Sequence, residues 1–390
     1  MKGYLVLADG TVYQGRSLGV AGKVVGEVVF NTTMTGYQRV LTDPSNRGLI
    51  INLTYPLIGN YGINHEEDES DQVQVSGLVM RECCALPNHW LNEGTLSDYL
   101  KSQKVIALDG IDTRALTRRL RAKGSLPGVL WSGELGQEEV DHLIEEARQT
   151  IIHDQRNLVV STAEPYVLSA PADGAAGDPF QESTIFSLKQ YHPSPVSSSR
   201  PGQGRRVVVI DYGVNRSLLR NLYRLGLETI VVPQTYTAQQ ILELKPAGIV
   251  LSNGPVSQAV INEAVITVKD LLEAKIPILG ICLGHLILGT ALGGKVQKMV
   301  FGHRGGNHPV QDLDNGQVLI TAQNHGYVLE ESSLDTTAVR VNLRNLHDKT
   351  IEGIEHRQLP FFSVQYLPAV TIPIAFEDNN PFGRFLQFLN

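Results

Sequence analysis

The sequence predicts an α/β fold in two parts: an N-terminal mixed α/β domain rich in strands, then a doubly wound parallel sheet covered by helices. Three observations lead there. A chain of 390 residues exceeds what one compact core usually holds. The first 150 residues carry short apolar runs punctuated by glycine, a pattern of strands and turns. After Arg206, apolar runs alternate with longer amphipathic stretches, as in parallel strands joined by crossover helices.

Each element follows from local chemistry. "YLVLADGTVY" alternates around an Asp-Gly turn and reads as a hairpin, not a signal peptide. "KVVGEVVF" and "GLIINLTYPLIG" continue the strands. A helix is expected after Asp112, a natural N-cap, ending at Gly124 as C′ residue; another covers 136–150. Between 151 and 205, Ser, Pro, Gly and Ala dominate with little periodicity, so this is connecting chain, with a short strand in "STIFSLKQY". The expected divisions are therefore 1–150, 151–205 and 206–390. In the last part, "VVVIDYG", "ETIVVP", "AGIVLSNGP" and "IPILGI" are strands. "NRSLLRNLYRLG", "TAQQILELKP" (capped by Thr237), "INEAVITVKDLLEAK" and "CLGHLILGTALGG" are the helices between them.

Composition narrows the function. With 42% hydrophobic and 19% charged residues and a net charge of −7, the chain lacks the clustered cations that nucleic acid rewards. The basic stretch 114–123 reads as a solvated or partner-facing helix. The most apolar region, 276–294, is broken by Gly280, Gly284, His285 and Gly289 and does not suit a membrane span. Three cysteines, two of them adjacent (Cys83 and Cys84), make no disulfide framework, and the expected compartment is the cytoplasm. Cys83 and Cys84 lack any His, Asp or Glu at metal-ligand spacing and read as buried, inert thiols, and no metal is expected.

In open α/β sheets, sites form beyond the carboxyl ends of strands. Two loops lie there: "SNGP" (252–255) and Gly280-Ile281-Cys282-Leu283-Gly284. The latter has the G-x-nucleophile-x-G form, in which glycines let the backbone turn and present the nucleophile at a helix start. That helix end favours thiolate and can donate to an oxyanion. Taken alone, the five residues equally describe a packed core cysteine. At a strand end in this setting, a nucleophile is the better reading.

At this point the chain resembles a known family. "GICLGH", "FGHRGGNHPV" (301–310), "TAQNHGY" (321–327) and "IEGIEHRQLPFFSVQY" (351–366) are similar to the class I glutamine amidotransferase domain of carbamoyl-phosphate synthase small subunits. "GEVVFNTTMTGYQRVLTDPS" (26–45), "LTYPLIGNYGIN" (53–64) and "GIDTRALTRRLR" (110–121) resemble the N-terminal domain of the same subunits, which other amidotransferases lack. The resemblance implies that Cys282 attacks the glutamine amide, and that Ser45, Gly254, Leu283, Asn324, Gly326 and Tyr327 hold glutamine or its oxyanion. It also implies a large-subunit partner that receives ammonia and uses ATP and bicarbonate, with no cofactor in this chain, in the arginine or pyrimidine pathway.

The sequence also departs from that family's pattern. The tail motif, "FSVQ", an aromatic, then His-Pro-Glu-Ala, continues here as Leu367-Pro368-Ala369-Val370, so leucine and alanine replace the base and its orienting carboxylate. Val256 stands for a glycine, and a positive φ there would strain it. Ser257-Gln258 replace Asp-Pro, Leu286 a glutamine, Asn215 a lysine and Leu49 a glutamine. His285, His303, His308, His325 and His356 all lie in segments where the family also carries histidine and read as structural. The expected function is a small subunit with impaired glutaminase activity. The alternative is a pseudo-amidotransferase that regulates the large subunit without supplying ammonia. A cysteine hydrolase of other substrates lacks a visible base.

Overall fold

The computed structural model describes residues 1–149, 160–168, 178–180, 185–189, 204–368 and 380–389. They cluster into two compact units, Met1–Leu158 with Met299–Asn307, and Val159–Lys298 with His308–Asn390.

The first unit is built on a closed barrel. Its strands are β1 (Lys2–Leu7), β2 (Val12–Ser17), β3 (Gly22–Asn31), β4 (Leu49–Leu53), β6 (Gly77–Val79), β8 (Ile106–Asp109) and β9 (Leu126–Ser132), in the order β1-β2-β8-β6-β4-β3-β9. A separate pair joins β5 (Leu57–Ile58) to β7 (Glu82–Cys83). The barrel closes because β1 pairs antiparallel with β9, with Leu5 opposite Leu130. The expected hairpin is β1–β2, with Gly10 at φ 87° in its turn. Leu5, Leu7, Val28, Ile50, Leu108 and Leu130 are fully buried in one apolar cluster. Helices α1 (Tyr37–Thr42), α2 (Leu96–Ser102), α3 (Thr113–Lys123) and α4 (Gln137–Gln149) complete this unit. As expected, the Asp112 carboxylate accepts from Ala115 N at 2.9 Å to cap α3, and Gly124, at φ 89°, ends it.

The second unit is an 11-stranded sheet. Its strands are β10 (Tyr166–Leu168), β11 (Ile185–Ser187), β12 (Arg206–Asp211), β13 (Glu228–Pro233), β14 (Gly248–Leu251), β15 (Ile278–Ile281), β16 (Lys295–Asp312), β17 (Val318–Glu330), β18 (Val339–Asn345), β19 (Ile351–His356) and β20 (Phe361–Val364). Their order is β11-β10-β13-β12-β14-β15-β20-β19-β18-β16-β17. The strands β13, β12, β14, β15 and β20 run parallel, the doubly wound core that the alternating pattern predicts. Apolar clusters line both faces. One holds residues of α6 (Ala238–Glu243), α7 (Gln258–Glu273) and α8 (Leu283–Ala291). The other holds residues of α5 (Arg216–Arg224) and α9 (Pro381–Phe388). The caps are those the sequence announces: Thr237 and Gln240 form a capping box at α6, and Gly226 (φ 79°) follows α5. No described helix is long and apolar enough to cross a membrane.

Candidate active site

Cys282 occupies the junction between β15 and α8, with φ 55° and ψ −102°. A non-glycine residue there is strained by about 1–3 kcal/mol and persists only where its surroundings enforce it. Two bonds do so. Cys282 N donates to Val364 O of the adjacent strand at 2.9 Å, and Gly284 N donates to Ser252 O at 3.0 Å. The flanking glycines act differently from the sequence expectation. Neither Gly280 nor Gly284 has positive φ, so the sharp turn resides in the cysteine itself. What the glycines permit is close approach. A Cβ on Gly280 would lie 2.6 Å from Gly284 O, and one on Gly284 2.1 Å from Leu251 O.

The sulfur is fully buried. Sγ donates to Asn324 O at 3.6 Å, and Gln365 Nε2 donates to Sγ at 3.9 Å. Leu367 is buried in the same apolar cluster as Cys282, its N–H bonded to Ala322 O at 2.9 Å. Ala369 lies outside the described residues. The described histidines of the second unit make their contacts elsewhere. His285 Nδ1 meets Ser363 Oγ at 2.8 Å, and burial pushes its pKa down to about 3, leaving it neutral. His325 bonds through Nε2 to Gln323 Oε1 at 2.9 Å and through Nδ1 to Tyr327 O at 3.0 Å. His356 Nδ1 accepts from Gln358 N and Leu359 N, both at 3.1 Å. His308 stacks edge-on against His347, and His303 belongs to the first unit.

The loop at 252–255 is knitted to the end of β12. Asn253 Nδ2 donates to Asn215 Oδ1 at 2.7 Å and to Gly213 O at 2.9 Å, while Asn215 N donates to Asn253 Oδ1 at 3.2 Å. Asp211 accepts from Gly213 N and Val214 N, and burial pushes its pKa up against those bonds. Gly254 is required by contact, since a Cβ there would stand 1.9 Å from Tyr212 O.

Residues 5–130 match the family model for the CPSase domain of the carbamoyl-phosphate synthase small chain. Residues 208–373 match that for class-I glutamine amidotransferase. A carbamoyl phosphate synthase small chain of Syntrophotalea carbinolica is 47% identical over 393 residues, covering 100% of this chain and 98% of its own. The pyrimidine-specific small chain of Bacillus subtilis is 41% identical over 389 residues, covering 100% of this chain and 96% of its own. This chain belongs to the carbamoyl phosphate synthase small chain family.

Within that family framework, the predicted positions separate by location. Cys282 and Asn324 are brought together at the sulfur, and Leu283 opens α8 beside them. Gly254 stands two residues beyond Ser252, whose carbonyl holds the elbow. Gly326 and Tyr327 follow Asn324 along β17. Ser45 folds in the first unit, on a short 3-10 turn, with its N–H bonded to Asp43 Oδ1 at 2.9 Å. The departures are structurally settled too. Val256 is half-buried without positive φ, so the condition under which it would be strained is not met. Ser257 has become the N-cap of α7, accepting from Val260 N at 3.2 Å. Leu286 is fully buried in the cluster on the other face of the sheet from Leu367. Gln365 was not anticipated. Its place in "FSVQY" reads as an ordinary strand position, and only the chain's path past β20 aims its amide at the sulfur.

Proposed function

We propose that this chain is the small subunit of a glutamine-dependent carbamoyl-phosphate synthase whose own glutaminase step is strongly impaired. In that reaction a thiolate adds to the glutamine carboxamide, the nitrogen leaves as ammonia after protonation, and water hydrolyses the thioester. Cys282 is the nucleophile of this reading, and Ser45, Gly254, Leu283, Asn324, Gly326 and Tyr327 the residues that hold glutamine or its oxyanion. The observation that carries the impairment is Leu367, a hydrocarbon side chain packed in one cluster with Cys282. It can neither protonate departing ammonia nor activate water, and loss of a general base commonly costs on the order of 10²–10⁴ in rate. Ammonia passes to a large subunit that uses ATP and bicarbonate, and this chain carries no cofactor of its own. The setting is the cytoplasm, in arginine or pyrimidine biosynthesis.

The complete burial of Cys282 favours a second reading, a pseudo-amidotransferase that binds and regulates the large subunit without supplying ammonia. One experiment tests both. Carbamoyl phosphate synthesis is measured with a cognate large subunit, with glutamine or with ammonium as nitrogen source. Ammonia-supported synthesis with little glutamine-supported synthesis is expected. A glutamine-dependent rate within about tenfold of an intact family member would sink the impairment. Failure of the two chains to co-elute at micromolar concentration would remove both readings.

A further inference from the structure

On the α5/α9 face of the second unit, a row of residues crosses four strands: Asp312 lies opposite Leu343, Leu343 opposite Gly353, and Gly353 opposite Val364. Gly353 puts no side chain between its neighbours, and a Cβ there would stand 2.7 Å from both Leu343 Cδ1 and Asn342 Oδ1. Beside it, β18 is irregular between Val341 and Leu343, the kind of bulge that re-aims side chains next to sites. The result is a hollow of about 270 Å³, floored by Leu343, Phe362 and Val364 and walled by the 312–315 turn and by Pro381, Arg384 and Gln387 of α9. Such a volume exceeds the roughly 150 Å³ of an apolar cavity that binds benzene, so it has room for a small organic molecule.

Its charges are unevenly satisfied. Arg384 is held by Glu355 and stacks over Phe362 at 4.8 Å. Asp314 is engaged by Arg340, whose Nη2 donates at 2.7 Å. Asp312 differs. Among the described residues, its oxygens accept from Asp314 N at 2.8 Å and Asn315 Nδ2 at 3.2 Å and form no ion pair. Two further polar groups lining the hollow are unpartnered among the described residues. Tyr366, 3% exposed, has a hydroxyl that makes no hydrogen bond, and Asn342, 7% exposed, has an Oδ1 with none. Burial and the nearby Asp312 and Glu352 charges hold the Tyr366 phenol well above its usual range, so it remains a neutral hydroxyl.

A carboxylate outside any ion pair, a neutral hydroxyl near it and hydrocarbon walls from Leu319, Leu343 and Val364 select one chemistry. We propose that this hollow binds a small organic cation, an alkylammonium whose nitrogen meets Asp312 and Tyr366 and whose short carbon body lies on Leu343 and Val364. The proposal does not depend on whether glutamine is hydrolysed.

The test is titration calorimetry on the full chain at pH 7.5 and fixed ionic strength, with n-butylamine, n-butanol and butyrate as probes. The amine, charged at that pH, should bind at least about tenfold more tightly than the alcohol, and butyrate should give no heat. Asp312→Asn, which can still accept from Asp314 N, should weaken the amine about tenfold, with the circular dichroism spectrum unchanged. Tyr366→Phe, which leaves the turn intact, should weaken it about threefold or more. Alcohol binding as tight as the amine, undiminished affinity in both variants, or no heat with the amine up to about 50 mM would each overturn the proposal.

Discussion

Replacing Cys282 by glycine and by alanine should reverse the usual order of stability at a buried site. At an ordinary core position, alanine is favoured over glycine. One buried methyl contributes about 0.8 kcal/mol, and the greater freedom of glycine in the unfolded chain adds about 0.5–1 kcal/mol. Together these make about 1.5 kcal/mol. Residue 282, however, sits at φ 55° and ψ −102°, and alanine keeps the associated strain of about 1–3 kcal/mol, whereas glycine relieves it. Taking the middle of that range, Cys282→Gly should be more stable than Cys282→Ala by about 0.5 kcal/mol. Urea unfolding followed by far-UV circular dichroism measures the difference. Tryptophan fluorescence would miss it, because Trp90 and Trp131 both lie in the first unit. A Gly variant about 1.5 kcal/mol less stable than the Ala variant would show that the elbow holds no strain and that the turn belongs to its neighbours.

Other outcomes follow from the same surroundings. Leu367→His alone should recover little glutaminase activity, while Leu367→His, Ala369→Glu, Val256→Gly and Leu286→Gln together should recover far more than the singles combined, measured as ammonia release. An additive result would refute a site that acts as a unit. With iodoacetamide at pH 7, Cys282, fully buried, should label more slowly than the partly exposed Cys84, as read by peptide mapping; faster labelling of Cys282 would reveal an activated, accessible thiolate. Burial holds His285 at a pKa of about 3, against about 6.5 in the unfolded chain. Below pH 6.5 the unfolded state therefore binds a proton that the folded state refuses, and stability falls as pH drops toward 3. His285→Gln should flatten that slope between pH 6 and 4 in urea titrations; an unchanged slope would place the buried ring elsewhere.

Local chemistry made much of the fold legible. Asp112, Thr237, Gly124 and Gly226 mark helix ends because capping is decided within a few residues. The parallel core strands read clearly because both faces are covered and their apolar runs are unbroken. Barrel closure was not legible, since it depends on β1 finding β9 more than a hundred residues away, and no local pattern encodes that partner. The elbow was half legible. "GICLG" located the nucleophile position, but only the backbone shows that the cysteine carries the positive φ while Gly280 and Gly284 admit neighbouring carbonyls. At Val256 the sequence left the dihedral open, and only the backbone shows that its φ is not positive. Asn215, at the start of a helix, and Asn253, in the 252–255 loop, gave no sign of each other in sequence; their mutual bonds exist because the ends of β12 and β14 lie side by side.

The stretch Met299–Asn307 has a practical meaning for anyone cutting this protein apart. Although its neighbours in sequence belong to the second unit, these nine residues complete the first. Phe301 packs on Phe30 at 5.6 Å, Ser125 N donates to Val300 O at 3.1 Å, and Thr32 N donates to Arg304 O at 3.0 Å. A fragment ending anywhere before residue 299 lacks the segment that packs Phe301 against Phe30 and leaves the Thr32 and Ser125 amides without those acceptors. A fragment beginning after residue 158 carries an orphaned strand segment with the apolar Phe301 on it. No single scissors point yields two complete folding units, so the chain is best expressed, mutated and titrated whole.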